Sequence, residues 1–309
     1  MENLSEISRR KFIRNMAAGS LVLLASKAIK VKEVFGKSDI STIPTIVAAN
    51  SPNPGFATKA CIKELGGMSK FVKKNDVVVI KPNIAFDRRP EQAATTNPDV
   101  IAALIQECLN AGAKTVKVFD RTCNDARRTY ETSGISKVSR KLGADVHYVN
   151  EGKFHDVKIP GGVAFKSWPV YDEARECDVF INVPILKQHA VAKVTMGFKN
   201  LMGIAGGNRG IWHRNINNSI VDLNSVVKVH LTVLDAYRVL INHGPTGGRL
   251  EDVKLFNKIV IGTDRVAVDV YGAKLFGISA SELPFIKQAS EVGLGEANLE
   301  KVSIKEINV

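Results

Sequence analysis

The sequence predicts an α/β protein with a mainly parallel sheet, flanking helices and two closely packed lobes. Two observations support this prediction. The run Val-Val-Val-Ile at 77–80 is typical of an interior strand that is buried on both faces. A helix (99–111) and another strand (115–119) follow at the spacing of a right-handed crossover between parallel strands.

Local signals define the elements of the first half. Asn97 and Pro98 are typical of an N-cap and a first helical residue, and Gly112 ends the helix that they begin. Residues 151–170 hold several Gly and Pro and resemble a hairpin-like excursion between the lobes. The predicted elements are strands at 45–49, 76–80, 115–119 and 146–149, and helices at 57–65, 99–111, 126–132 and 135–142.

The second half begins with a short apolar strand that Pro184 halts. Helical spacing follows from Val194 to Ile204, and a glycine-rich loop from Gly203 to Gly210 comes after it. The predicted elements here are strands at 179–183, 230–234, 258–261 and 302–307, and helices at 194–204, 216–227, 266–276 and 284–292. We expect one domain over 37–309, with lobes at roughly 37–165 and 166–309.

The N-terminus resembles a twin-arginine export signal. Residues 8–14 read Ser-Arg-Arg-Lys-Phe-Ile-Arg, and the apolar run 16–24 follows in register. That run is too short for a spanning helix, which needs ~20 apolar residues. We therefore interpret 1–36 as a signal segment, cleaved or retained as an anchor. This predicts the twin-arginine export machinery as a partner and a periplasmic or cell-envelope location. The alternative is an ordinary amphipathic helix with a chance arginine pair.

Composition argues against nucleic acid as a partner. The formal net charge is +12, but basic and acidic residues are interspersed, aromatic residues make up only 6%, and no nucleic-acid motif is present. The four cysteines form no C-x-x-C pair, so no zinc ribbon or ferredoxin-type cluster is encoded locally. We expect Cys61 and Cys108 to be core residues.

Polar residues cluster where predicted strands end, in the loops 81–97, 120–128 and 184–214, and a further loop at 242–250 is glycine-rich. Parallel strands gather such loops at one edge of the sheet, where α/β proteins bind ligands. Lys187 and His189 are two residues apart, so in an extended backbone they point to the same side. We therefore predict a site for a small anionic ligand or a metal cofactor.

Each role in this site is assigned by residue type, because lysine holds anions or acts as a base when buried, and histidine serves as a ligand or an acid–base group. The residues predicted to be catalytic are Lys187, His189, Lys199 and His213. Those predicted to bind a cofactor are Lys81, Asn83, Thr96, Asn200 and Gly207, and the predicted metal ligands are Cys123, His189 and His213. Asp269 lies inside a predicted helix, where a structural role is expected.

Several motifs together resemble one known family, the domain of unknown function 362. They are Lys81-Pro82-Asn83, Ala94-Thr95-Thr96-Asn97-Pro98, Asn110-Ala111-Gly112-Ala113-Lys114 before Asp120, Val183-Pro184 with Lys187 and His189, Lys199-Asn200-Leu201-Met202-Gly203, Gly244-Pro245-Thr246-Gly247-Gly248 and Asp264-Arg265-Val266-Ala267-Val268-Asp269. The resemblance spans roughly 45–280, and the family's activity is unsettled. Many of its relatives carry an added ferredoxin-like module with iron–sulfur motifs, which this sequence does not contain.

Three functions therefore stay open at the level of sequence. The first is an enzyme that acts on a small anionic substrate. The second is a redox or delivery protein that binds an iron–sulfur cluster or a metal ion. The third is a non-catalytic solute-binding protein of the cell envelope.

Overall fold

The computed structural model describes residues 43–309, so the signal segment predicted for 1–36 lies outside the described residues. The strands of this part are β1 (Thr45–Asn50), β2 (Val77–Pro82), β3 (Thr115–Val118), β4 (Asp145–Val146), β5 (Phe154–Lys158), β6 (Ser167–Tyr171), β7 (Val179–Val183), β8 (Ile185–His189), β9 (Lys193–Thr195), β10 (Leu231–Leu240), β11 (Val253–Gly262) and β12 (Ser303–Asn308).

Helices pack on both faces of the sheet. They are α1 (Pro54–Glu64), α2 (Pro98–Asn110), α3 (Ala126–Thr132), α4 (Ile135–Lys141), α5 (Glu173–Glu176), α6 (Gly197–Asn200), α7 (Ile216–Asn224), α8 (Arg265–Phe276) and α9 (Pro284–Glu291). Asn97 caps α2 by accepting from the Asp99 amide at 2.9 Å, and Pro98 is its first residue, as predicted. Within residues 43–309, no helix combines the length and apolar character that crossing a membrane requires.

Within the described residues, ten strands form one mixed, mostly parallel sheet, which confirms the predicted α/β class. The main path runs β12-β1-β11-β10-β7-β2-β3-β4. The segment from β10 through β7, β2 and β3 to β4 is parallel, whereas β11 runs antiparallel to both of its neighbours. Strand β8 adds to β10 in parallel and pairs with β9 in antiparallel orientation. Strands β5 and β6 form a separate hairpin.

The sheet separates two apolar cores. In β1, Ile46 and Ala48 belong to one core, and Val47 and Ala49 belong to the other. This alternation follows from the period of two along a strand. Strand β2 divides in the same way, because Val79 faces the first core and Val78 the second. Both cores draw residues from the two halves of the chain, and the division into lobes stays a prediction.

Three predicted elements differ in the structure. The segment 194–204 is not one helix, because β9 ends at Thr195, α6 spans only Gly197–Asn200 and a 3-10 turn follows. The predicted strand 146–149 is reduced to the two residues of β4. Residues 185–189, expected in a loop, form β8. Strand β8 pairs with β10, which is distant in sequence, and β9 pairs with β8 in turn.

Candidate functional site

A cavity of about 700 Å³ opens at the carboxyl ends of β2, β3 and β8. The loops predicted to converge do so, since Lys81, Asp120 and His189 all line this cavity. The predicted site residues that line it are Lys81, Asn83, Cys123, Lys187, His189, Lys199, Asn200, Gly207 and His213. Thr96 is the exception and lies behind the wall.

A buried ion pair forms the floor of the cavity. Lys81 Nζ lies 2.8 Å from Asp120 Oδ1, and both side chains are almost fully buried. The other carboxylate oxygen of Asp120 accepts from the Ile84 amide at 2.7 Å. Burial lowers the pKa of Lys81, while the neighbouring Asp120 raises it. Both carboxylate oxygens of Asp120 therefore already have a partner, one in Lys81 and one in the backbone.

Asparagine side chains connect this ion pair to the rest of the wall. Asn200 Oδ1 accepts from Lys81 Nζ at 3.2 Å and from Asn83 Nδ2 at 3.0 Å. Thr96 Oγ1 accepts from the Asn83 amide and donates to the Val183 carbonyl, both at 2.8 Å. Thr96 therefore positions Asn83, whereas Asn83 and Asn200 face the cavity.

Lys187 is a buried cation without a carboxylate partner among residues 43–309. Its ammonium donates to the Ala94 carbonyl at 2.5 Å and to Asn83 Oδ1 at 3.3 Å, and it lies 4.7 Å from the centre of the Phe86 ring. The side chain is 1% exposed. Burial, with a further contribution from the charge of Lys199, lowers the pKa of Lys187 to about 7.

The ammonium of Lys199 has fewer polar contacts than that of Lys187. Within the described chain its ammonium has one hydrogen bond, to Met202 Sδ at 3.6 Å, and no ion pair. Burial, and then the charge of Arg209, lowers its pKa to about 8. Helix α6 holds it in place, because Asp269 accepts from the amides of Gly197 and Phe198 at 2.7 and 3.0 Å. Asp269 thus has the structural role that the sequence predicted.

The two histidines stack at the side of the cavity. Their ring centroids are 6.0 Å apart with an interplanar angle of 12°. His189 Nδ1 accepts from the amides of Val191 and Ala192, both at 3.1 Å. His213 Nδ1 lies 3.2 Å from the Gly210 carbonyl. Burial lowers the pKa of His189 to about 3, and the charge of Lys199 adds to this effect.

The glycine-rich loop forms the opposite wall. The Arg209 guanidinium donates to the carbonyls of Arg121, Thr122 and Met202, each at 3.0 Å, so it fixes the loop. At the rim, Arg121 forms an ion pair with Glu151 at 3.0 Å. Gly203 leaves no room for a side chain, because a Cβ there would lie 1.8 Å from Asp120 Oδ1.

The hydrogen bonds of His189 bear on its predicted role as a metal ligand. His189 Nδ1 already accepts two amides, so its neutral ring carries the proton on Nε2, and no lone pair points into the cavity. No group of three or more His, Cys, Asp and Glu side chains that could hold a metal occurs in 43–309. The metal role of Cys123 and His213 stays a prediction.

Thr195 and Phe86 are among the cavity residues that are absent from the sequence-based set. Thr195 lines the cavity, is 3% exposed, and has a buried hydroxyl without a partner among residues 43–309. It lies directly opposite Lys187 in the β8–β9 pair. Thr195 was left out of the predicted site because 194–204 was predicted to be a helix. The β-branched pair Val194-Thr195 is nevertheless typical of a strand. Phe86 was missed because an apolar loop residue carries no chemical signal.

Comparison with known proteins identifies the family. The model of the domain of unknown function 362 family matches residues 78–274, which is more than half of the chain, and the chain therefore belongs to this family. A thylakoid-associated protein of Synechocystis sp. is 27% identical over 244 residues, which cover 76% of this chain and 74% of that protein.

Solved structures resemble the chain at the level of the α/β fold. The lactate racemase apoprotein of Thermoanaerobacterium thermosaccharolyticum superposes with a TM-score of 0.45 at 12% identity, over 74% of this chain and 56% of that chain. A Thermotoga maritima protein solved by a structural genomics consortium gives 0.44 at 13% identity, over 77% and 60%. The chain thus spans less than two thirds of the length of each structure.

Proposed function

We propose that this member of the domain of unknown function 362 family binds a small anion in the cavity at the carboxyl ends of β2, β3 and β8. One observation supports the proposal above all others. Lys187, which is 1% exposed, and the partly buried Lys199 line the cavity, and neither has a carboxylate partner within 43–309. Burying an unpaired charge is costly, and a bound anion would remove that cost.

The lone acidic group on the floor does not offset these cations. Asp120 is neutralised by Lys81, and at the rim Glu151 is neutralised by Arg121. The interior therefore keeps an excess of positive charge next to the apolar surfaces of Phe86 and Met202. Such a combination favours an organic anion with a small apolar part over an inorganic cation.

The same groups can move protons, which supports the enzymatic form of the proposal. An amine with a pKa near 7, such as that of Lys187, exchanges its proton at neutral pH. A neutral imidazole stands beside it at His189. Acid–base chemistry on the bound anion is therefore the reaction class that we assign to this site.

Sulfate is a suitable probe of the cation pair, because its charge is constant between about pH 6 and 9. We expect Lys199→Met to lower sulfate affinity in calorimetry by about ten- to a hundredfold. Affinity for the unmodified protein should fall as the pH rises through about 7 to 8, where Lys187 and Lys199 lose their protons. In Lys199→Met the part of this fall near pH 8 should disappear.

Lys158→Met is the matched control, because Lys158 is exposed on β5 and does not line the cavity. Its affinity for sulfate should be close to that of the unmodified protein at constant ionic strength. Equal affinities for Lys199→Met and Lys158→Met would show that Lys199 does not bind the anion and would contradict the proposed cation pair.

Export by the twin-arginine route is the second part of the proposal, and the sequence Ser-Arg-Arg-Lys-Phe-Ile-Arg at 8–14 supports it. Replacing Arg9 and Arg10 by lysine preserves charge but removes the paired guanidinium groups. We expect this double variant to accumulate as a precursor inside the cell, measured by fractionation and immunoblotting. Normal export of the double variant would contradict the assignment.

A further inference from the structure

We propose that His189 and His213 present opposite hydrogen-bonding groups to the cavity, so that the site selects an anion that also carries an O–H group. This inference rests on the proposed function and adds the chemical class of the ligand. His189 offers an Nε2–H donor, and His213 offers an Nε2 lone pair.

The backbone fixes the tautomer of His189. Two amide hydrogens, from Val191 and Ala192, point at Nδ1 at 3.1 Å. A proton on Nδ1 would face both of them, so the neutral ring holds its proton on Nε2. His189 is 5% exposed, and its ring lines the cavity. Its Nε2–H is therefore a fixed donor to whatever occupies that space.

The backbone favours the opposite tautomer at His213, whose side chain is exposed. The partner of its Nδ1 is the Gly210 carbonyl at 3.2 Å, and a carbonyl oxygen only accepts. Nδ1 must donate, so the neutral ring keeps its lone pair on Nε2. One ring of the stacked pair thus donates to a ligand and the other accepts from it.

A single small anion can satisfy both rings. The ring centroids are 6.0 Å apart, and hydrogen bonds to oxygen are ~2.8 Å long, so two oxygens of one ligand reach both histidines. One oxygen accepts from His189, and the other must carry a hydrogen for His213. Lys199 supplies the positive charge, and Thr195 provides an unpaired hydroxyl in the same cavity. The monohydrogen phosphate ion and hydroxycarboxylates have this chemistry.

The tautomers can be measured without any ligand. In full-length protein labelled with ¹⁵N-histidine, long-range ¹H–¹⁵N correlation spectra should show His189 protonated on Nε2 alone and His213 protonated on Nδ1 alone when neutral. The variants His189→Asn and His213→Phe assign the two signals. The Asn variant keeps an acceptor near the amides of Val191 and Ala192, so its fold should be preserved. Finding Nδ1 of His189 protonated would overturn the inference.

Two matched ligand pairs test the selectivity. Phosphate and sulfate have the same shape, but only phosphate carries an O–H at about pH 7.5. Malate and succinate differ by one hydroxyl group. We expect the hydroxyl-bearing member of one pair to bind about tenfold more tightly in calorimetry. His213→Phe should abolish this preference, while His189→Asn should weaken both members of the pair.

The outcomes of these binding experiments distinguish the two ligand classes. A preference confined to phosphate assigns inorganic monohydrogen phosphate, and a preference confined to malate assigns a hydroxycarboxylate. Equal binding within both pairs would overturn the selectivity and leave the anion site of the proposed function intact. Failure of all four anions to bind would contradict the proposed function and the ligand class together.

Discussion

Replacing Asp120 by alanine is expected to lower the free energy of unfolding by about 3–5 kcal/mol. The variant leaves the Lys81 ammonium buried without its counter-ion and leaves the Ile84 amide without its acceptor. Urea-induced unfolding, followed by circular dichroism, measures the loss. The loss in free energy of unfolding should be smaller at high pH. Burial lowers the pKa of Lys81 in the folded state, and the neutral amine that forms as the pH rises needs no counter-ion.

Two variants provide the controls for Asp120→Ala. Asp156→Ala removes an exposed carboxylate from β5 and should change stability by less than ~0.5 kcal/mol. The double variant Lys81→Met with Asp120→Ala removes both charges and should recover part of the lost stability. If Asp120→Ala were as stable as Asp156→Ala, the ion pair between Lys81 and Asp120 would not contribute to the stability of the fold.

Gly203→Ala is expected to destabilise the protein by roughly 3 kcal/mol or more and to abolish sulfate binding. The new Cβ would lie 1.8 Å from Asp120 Oδ1 and 2.6 Å from Lys81 Cε, so the buried ion pair has to move. That movement would displace Asn200, which accepts from Lys81, and disrupt the wall that carries Lys199. Thermal denaturation and sulfate calorimetry on the same sample measure both effects.

Gly207→Ala is the matched control for stability within the same loop. Gly207 has a φ of 60°, so alanine there suffers backbone strain of about 1–2 kcal/mol. Its Cβ would meet no atom closer than 3.6 Å. A Gly203→Ala variant that is no less stable than Gly207→Ala would show that the ion pair adapts without cost.

The sequence by itself determined the features that depend on near neighbours. The buried run at 77–80 identified β2, and Asn97 with Pro98 identified the start of α2, because strand burial and helix capping act over a few residues. The spacing of Lys187 and His189 correctly placed both side chains on one side of β8, since a strand alternates with period two. The family motifs lie at these same strand ends.

Only the tertiary structure decided which partners these side chains meet. It paired Asp120 with Lys81, placed Thr96 behind Asn83, and turned 193–195 into a strand that sets Thr195 opposite Lys187. Among residues 43–309, it also left Lys199 without a carboxylate partner. Local spacing cannot encode these outcomes, because burial and hydrogen-bond geometry depend on segments that are distant in sequence and adjacent only in the folded sheet.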